Sequence, residues 1–164
     1  MKLAEALSIR KDLQKKIDQL KTRLVQNVKI QEGDEPAEHP DELLKELDDC
    51  LIQLQKLMLQ INITNIQTQH NGRTLTDMIA ERDVLTKRIS ILRDMFEQAS
   101  QGMDRYSRSE IKYVTTINVK DLNKEIDLYA KKLRKLDMQI QAANFEVDLI
   151  SVSYTHLRAH ETLR

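Results

Sequence analysis

The densest group of polar side chains outside the predicted helices lies in a short stretch near residue 105. It carries two guanidiniums, a phenol, a carboxylate and an amine, contributed by Arg105, Tyr106, Arg108, Glu110 and Lys112. Connecting segments often carry binding groups, and neighbouring guanidiniums suit a phosphate or a partner's carboxylate. The alternative is that these groups pair with one another and with helix ends. The sequence therefore predicts a candidate binding segment here and leaves its ligand open.

Four further polar residues stand where the helical repeat otherwise places apolar side chains: Arg10, Asn27, Asn65 and Arg82. Burying an unpaired charge is costly, so the two arginines require acidic neighbours or an exit to solvent. Polar residues at such positions often fix the register of packed helices. We favour that interpretation over a buried ligand site.

The sequence contains no set of residues typical of catalysis or metal binding. Cys50 and His70 are isolated, and there is no Ser/His/Asp set, CxxC, HExxH or Gly-rich phosphate loop. The acidic stretch 32–42 lacks the residue order of a calcium-binding loop. We therefore predict a protein that is not an enzyme and has no catalytic residues, metal or cofactor.

Composition favours long helices. Of 164 residues, 32% are charged and 4% are aromatic, and Gly and Pro number only 3 and 2. Average usage predicts about 20 of these two types together. A β-sandwich or barrel needs frequent turn residues, so this composition argues against both.

The five Gly and Pro residues divide the chain into four segments at Gly33–Pro40, Gly72 and Gly102. Each segment repeats apolar residues at alternating steps of three and four, which is typical of a helix packed along one face. A cap at Asn118 is predicted for the last segment. In the second segment the predicted buried stripe is Leu44, Leu47, Leu51, Leu54, Met58, Ile61, Asn65 and Thr68.

These segments predict an all-α fold of four long antiparallel helices in two helical hairpins, forming a single domain over residues 1–151. Residues 111–117 instead alternate apolar and polar side chains, which predicts a short extended segment. An exposed edge strand recruits partners, so this segment hints at self-association.

Charge is distributed unevenly along the first two segments. Residues 1–31 carry eight basic and three acidic groups, whereas residues 32–49 carry nine acidic and one basic. This pattern favours neighbouring antiparallel helices of complementary charge over a basic face for an external polyanion. Lys plus Arg equals Asp plus Glu at 26 over the chain, so a dedicated nucleic-acid-binding domain is not favoured.

The compartment is predicted from three features. The single Cys50 cannot form an internal disulfide, the N-terminus lacks an apolar export signal, and no window of 18 apolar residues is present. We therefore expect a cytoplasmic protein with no membrane association.

The run Val152–Thr162 resembles a translated transposon-end sequencing adapter and lacks helical periodicity. We expect residues 152–164 to be a tail that is not native to the fold, with native C-terminal residues lost at the junction. His156 and His160 are accordingly not interpreted as a metal-binding pair.

Several blocks of the chain together resemble one bacterial family. They are MKLAEAL at the N-terminus, QEGDEP at 31–36, TLTDMIAERDVL at 74–85 and DRYSRSEIKYV at 104–114. They are similar to the family that carries the name septicolysin, also described as a domain of unknown function. The resemblance implies a small, soluble, mostly helical bacterial protein and, from the name, a cytolysin. It transfers no catalytic or binding residue.

The leading prediction is a non-enzymatic helical structural or interaction protein that self-associates as a homo-oligomer, with any further protein partner left open. The first alternative is a membrane-active cytolysin of the septicolysin type. The second is a regulator that binds nucleic acid through the basic first helix together with Arg105 and Arg108.

Overall fold

The computed structural model describes residues 1–101 and 113–152. Its four helices are α1 (Leu3–Asn27), α2 (Pro40–Gln67), α3 (Leu75–Ser100) and α4 (Val119–Glu146). Two short strands, β1 (Gln69–His70) and β2 (Arg73–Thr74), pair antiparallel between α2 and α3. Helices make up 76% of the described residues, which confirms the predicted all-α class with four helices.

The ends of the helices follow local sequence rules. α2 begins at Pro40, whose fixed φ suits a first helical position, and Asp41 and Glu42 occupy its first turn. Asn118 caps α4 as predicted, because its Oδ1 accepts a hydrogen bond of 3.1 Å from the backbone N–H of Asp121.

Two compact units make up the fold. One comprises residues 1–74 together with the chain from Ala143 onward, and the other comprises Leu75–Ala142. The expectation of a single domain over 1–151 stays a prediction.

In the first unit, α1 and α2 pack as a helical hairpin. Leu20, Leu43 and Cys50 form the buried centre of their contact. Partly buried apolar side chains pack around this centre, namely Leu13, Ile17, Leu24 and Leu47. Leu13, Ile17, Leu20 and Leu24, which recur at steps of three and four, therefore face α2 as the predicted helical repeat requires.

The predicted stripe of α2 is confirmed at Ile61, which is buried, and is wrong at Leu44, Leu51 and Met58. Leu43, Cys50 and Leu57 are buried, whereas Leu44, Leu51 and Met58 are 46%, 44% and 42% exposed. Two adjacent lines of apolar residues run along α2, and periodicity does not distinguish between them. α1 covers the line that begins at Leu43 and leaves its neighbour open.

In the second unit, α3 and α4 form the other hairpin. Their buried residues within this unit are Leu75, Met78, Leu85, Ile89, Leu122, Ile126, Leu136 and Ile140. All but Leu75 recur along one face of their helix, as the predicted repeat requires. Two ion pairs cross between the helices, Glu81–Lys132 at 3.4 Å and Arg88–Glu125 at 3.9 Å. The helices run antiparallel, since the later α3 residue pairs with the earlier α4 residue.

The turn between β1 and β2 is a two-residue reversal. Asn71 and Gly72 have φ of 51° and 78°, the left-handed conformations that a tight hairpin turn requires. The predicted extended run lies partly outside the described residues, since Ile111 and Lys112 are not among them. Its described part, residues 113–117, contains no strand. An alternating pattern forms a strand only where another strand offers backbone partners.

Candidate interaction site

The binding segment predicted around residue 105 lies outside the described residues. This applies to all five of its candidate residues, Arg105, Tyr106, Arg108, Glu110 and Lys112. Their role in binding stays a prediction.

The polar stripe positions of the first unit are separate in space. Arg10 and Asn27 are 17 residues apart on α1, which corresponds to about 25 Å along a helix. Arg10 and Asn65 are half-buried, and neither side chain makes a hydrogen bond or ion pair with another residue of the described ranges. They do not form a common site with Asn27.

Arg82 of the second unit has an acidic partner. Its Nε and Nη2 donate to Oδ1 of the adjacent Asp83 at 3.2 and 3.0 Å. Asp83 is 65% exposed at its side chain, so this pair lies in solvent and leaves no charge buried.

Asn27 fixes the loop that follows α1. Its Nδ2 donates to the carbonyl of Arg23 at 2.8 Å, and its Oδ1 accepts from the backbone N–H of Glu38 at 3.1 Å. The Arg23 guanidinium in turn donates hydrogen bonds to both carboxylate oxygens of Glu38, and the bond from Nε to Oε2 is 2.9 Å long. Asn27 therefore positions this loop, and its role in fixing the register of packed helices stays a prediction.

Charge complementarity between α1 and the chain after it is confirmed. Lys16 Nζ lies 2.9 Å from Glu46 Oε1, and Arg23 pairs with Glu38. The hydrogen bonds from these cations, reinforced by their charges, hold the pKa of each carboxyl below its usual value. Such exposed pairs direct the arrangement of helices more than they stabilise it.

The first residues of the chain pair with the segment that follows α4. The backbone N–H of Leu3 donates to the carbonyl of Val147, and that of Leu149 donates to the carbonyl of Met1, both at 2.9 Å. Lys2 Nζ lies 2.8 Å from Asp148 Oδ1, and this contact lowers the pKa of Asp148. The two ends of the first unit are therefore held side by side.

Thr64 is the buried polar residue at this junction. Its hydroxyl donates to the carbonyl of Gln60 at 2.7 Å and accepts from the backbone N–H of Ile150 at 3.0 Å. Nearby, His70 Nδ1 lies 3.4 Å from Glu146 Oε2. Sequence reasoning missed Thr64, because a threonine on the helical face looks like a tolerated substitution for valine.

Across residues 1–101 and 113–152, no group of three His, Cys, Asp or Glu is placed to hold a metal ion. No described helix is both long enough and apolar enough to cross a bilayer. The described polar network ties segments of the chain together.

The exposed line of apolar residues on α2 is the candidate interaction surface of the first unit. We define the outer stripe as Leu44, Leu51 and Met58, which recur every seven residues along α2. A shallow groove runs along its C-terminal part and is lined by Leu51, Leu54, Gln55, Met58, Leu59 and Asn62. Exposed apolar patches on folded proteins often mark sites of interaction with another molecule.

The fold and these surfaces define a class, that of all-α proteins built from two helical hairpins. Residues 10–149 match the model of a family of unknown function, DUF6847, and the chain belongs to that family. It is also similar to a solved structure, described as a functionally unknown conserved protein from Corynebacterium diphtheriae. The two are 42% identical with a TM-score of 0.85, over 92% of this chain and 99% of that one.

No curated protein matches the chain. Neither the family description nor the solved structure carries the name septicolysin or states an activity. The membership in a family of unknown function is thus confirmed, and the septicolysin and adapter resemblances stay predictions.

Proposed function

We propose that this protein is a non-enzymatic structural or interaction module that self-associates through the outer stripe of α2. The observation that carries the proposal is the exposure of Leu44, Leu51 and Met58 beside a buried line on the same helix. One face of α2 is used within the chain, and the adjacent face remains open.

The chemistry of the outer stripe fits a second copy of the same surface. From residue 50 to residue 68, Lys56 is the only charged residue. Depletion of charge and enrichment of large apolar side chains characterise the cores of protein interfaces. Two copies of this charge-depleted part of the face, which carries Leu51 and Met58, also meet without repulsion, which a charged face does not allow.

The polar members of the groove favour the same occupant. Gln55 and Asn62 line it, and each carboxamide is both a donor and an acceptor. A carboxamide of one copy is therefore chemically complementary to a carboxamide of a second copy, which suits the self-complementary surface of an isologous interface. The seven-residue repeat of the outer stripe matches the repeat of helices that pack side by side over several turns.

The two other functions predicted from the sequence receive no support from the described residues. In the basic first helix, Lys16 and Arg23 are already engaged by Glu46 and Glu38. Arg105 and Arg108 lie outside the described ranges. The membrane-active alternative rests on the septicolysin resemblance alone.

The test is light scattering coupled to size exclusion on the full chain at tens of micromolar. We expect an oligomer that dissociates to monomer when Leu51→Glu and Met58→Glu are combined, since two carboxylates then face two others. Val25→Glu on α1 is the matched control, because Val25 is 65% exposed and outside the outer stripe. A monomeric wild type, or an oligomer unchanged in the double variant while circular dichroism shows retained helix, overturns the proposal.

A further inference from the structure

The second unit contains a groove between its two helices that is separate from the outer stripe of α2. It has a volume of about 380 Å³ and is lined by Thr86, Ile89, Ser90, Arg93 and Asp94 from α3 and by Ala130, Leu133 and Arg134 from α4. This volume lies within the range of small-molecule sites. We name it the Arg93/Arg134 groove.

The two arginines of the groove differ from Arg82 and Arg88, the other arginines of α3. Arg82 pairs with Asp83, and Arg88 lies 3.9 Å from Glu125 with its guanidinium 4.4 Å from the centre of the Tyr129 ring. Arg93 and Arg134 form no ion pair with any residue of 1–101 or 113–152. Two arginines therefore border one groove, and neither is neutralised by an acidic residue of the described chain.

The remaining polar groups of the groove leave its character cationic. Asp94 is the single carboxylate of the lining, and it pairs with neither arginine in the described chain. The Ser90 hydroxyl makes no hydrogen bond with the described residues and adds a third donor. The Thr86 hydroxyl donates its proton to the carbonyl of Arg82 at 2.8 Å, so this donor is not available to a bound anion.

The base of the groove is apolar. Ile89 is 3% exposed, and Leu133 and Ala130 are half-buried. A free inorganic ion has no apolar part to pack against this floor of the groove. The hydrocarbon part of an organic anion, by contrast, buries apolar surface against it.

We propose that the Arg93/Arg134 groove binds a small organic oxyanion, whose phosphate or carboxylate lies between the two guanidiniums and whose apolar body rests on Ile89, Ala130 and Leu133. Guanidiniums offer paired, parallel N–H donors that match the geometry of both oxyanions. The proposal stands independently of self-association, since it rests on other residues in the other unit.

The probes are phenyl phosphate, benzoate and inorganic phosphate, added to the full chain and followed by amide chemical shifts. We expect the two organic anions to shift the amide signals of Ser90, Arg93 and Arg134 and to saturate at lower concentration than inorganic phosphate. The stronger of phenyl phosphate and benzoate identifies which oxyanion the groove prefers.

The variants are Arg93→Gln and Arg134→Gln, with Arg82→Gln as the matched control on the same helix. Loss of a charged hydrogen-bonding group should raise the dissociation constant about tenfold or more for each groove variant. The control should bind as the wild type does. Failure to saturate at millimolar probe, or equal binding by all three variants, overturns the proposal.

Discussion

The hydroxyl of Thr64 accepts a hydrogen bond of 3.0 Å from the backbone N–H of Ile150, which lies 86 residues further along the chain. Thr64 is fully buried, and the same hydroxyl donates to the carbonyl of Gln60. One side chain thereby satisfies a backbone donor beyond α4 and anchors that donor to the end of α2.

Thr64→Val should lower the free energy of unfolding by about 1–3 kcal/mol, because the shape is kept but the Ile150 N–H loses its acceptor in a buried site. Urea denaturation measures the change. Thr64→Ser, which retains the hydroxyl and loses one methyl, should recover much of it. Equal destabilisation by both variants would assign the effect to packing and contradict a role for the hydrogen bond.

Asn27→Ala should release the loop after α1, since it removes the acceptor of the Glu38 N–H and the donor to the Arg23 carbonyl. We expect a loss of about 1 kcal/mol in stability and faster hydrogen exchange at the Glu38 amide. Gln26→Ala serves as the control, because Gln26 is exposed on the same turn. An unchanged exchange rate in Asn27→Ala would show that the Arg23–Glu38 pair holds the loop without Asn27.

Acidification should weaken the α1–α2 hairpin. The pKa values of Glu38 and Glu46 are lowered from their usual value of 4.5 by Arg23 and Lys16. A carboxylate with a lowered folded-state pKa stabilises the fold above its unfolded-state pKa, and that contribution is lost as the pH falls through the folded value. We therefore expect stability to decrease below about pH 4.5.

The measurement is urea unfolding at pH 7 and pH 3 for the wild type and for Glu38→Gln combined with Glu46→Gln. The double variant should show a smaller decrease between the two pH values. Glu32→Gln with Glu35→Gln is the matched control, as these residues form no ion pair within the described ranges. A control that flattens the pH dependence equally would indicate a general charge effect.

Gly72→Ala should destabilise the β1–β2 turn. Gly72 has φ of 78°, and an added Cβ would meet no atom within 4 Å, so the cost is purely conformational. A left-handed conformation costs a residue with a Cβ about 1–2 kcal/mol, and thermal denaturation will detect it. Asn71→Gly should be close to neutral, because Asn tolerates φ of 51° and Gly tolerates it at least as well. A neutral Gly72→Ala would show that the turn changes conformation to accommodate the methyl group.

Much of the architecture was predictable from local patterns. The few Gly and Pro residues mark the three joints between the helices, because Gly adopts left-handed turn conformations at little cost and Pro cannot continue a helix from its interior. Asn118 was identified as a cap because a short polar side chain before an apolar repeat satisfies the first free N–H groups of a helix. The complementary charge of α1 and the chain after it likewise predicted their antiparallel pairing.

The choice between the two apolar lines of α2 was decided by the tertiary structure. Leu43 and Leu44 are both leucines in the same turn, and a periodic pattern is equally satisfied by either line. Only the position of α1 determines that Leu43 is buried and that Leu44 is 46% exposed. The outer stripe, and with it the proposed interface, therefore follows from packing.

The polar contacts likewise divide into those that sequence neighbours predict and those that only the tertiary structure creates. Asp83 beside Arg82 and the helix cap at Asn118 are close in sequence, so their partners were within reach of sequence reasoning. Thr64 with Ile150, and Arg93 with Arg134, lie far apart along the chain. By itself the sequence determined the helices, their ends and their charge, because these depend on neighbours along the backbone. Only the tertiary structure decided which side chains meet across helices, because those contacts depend on how each helix is rotated against its partner.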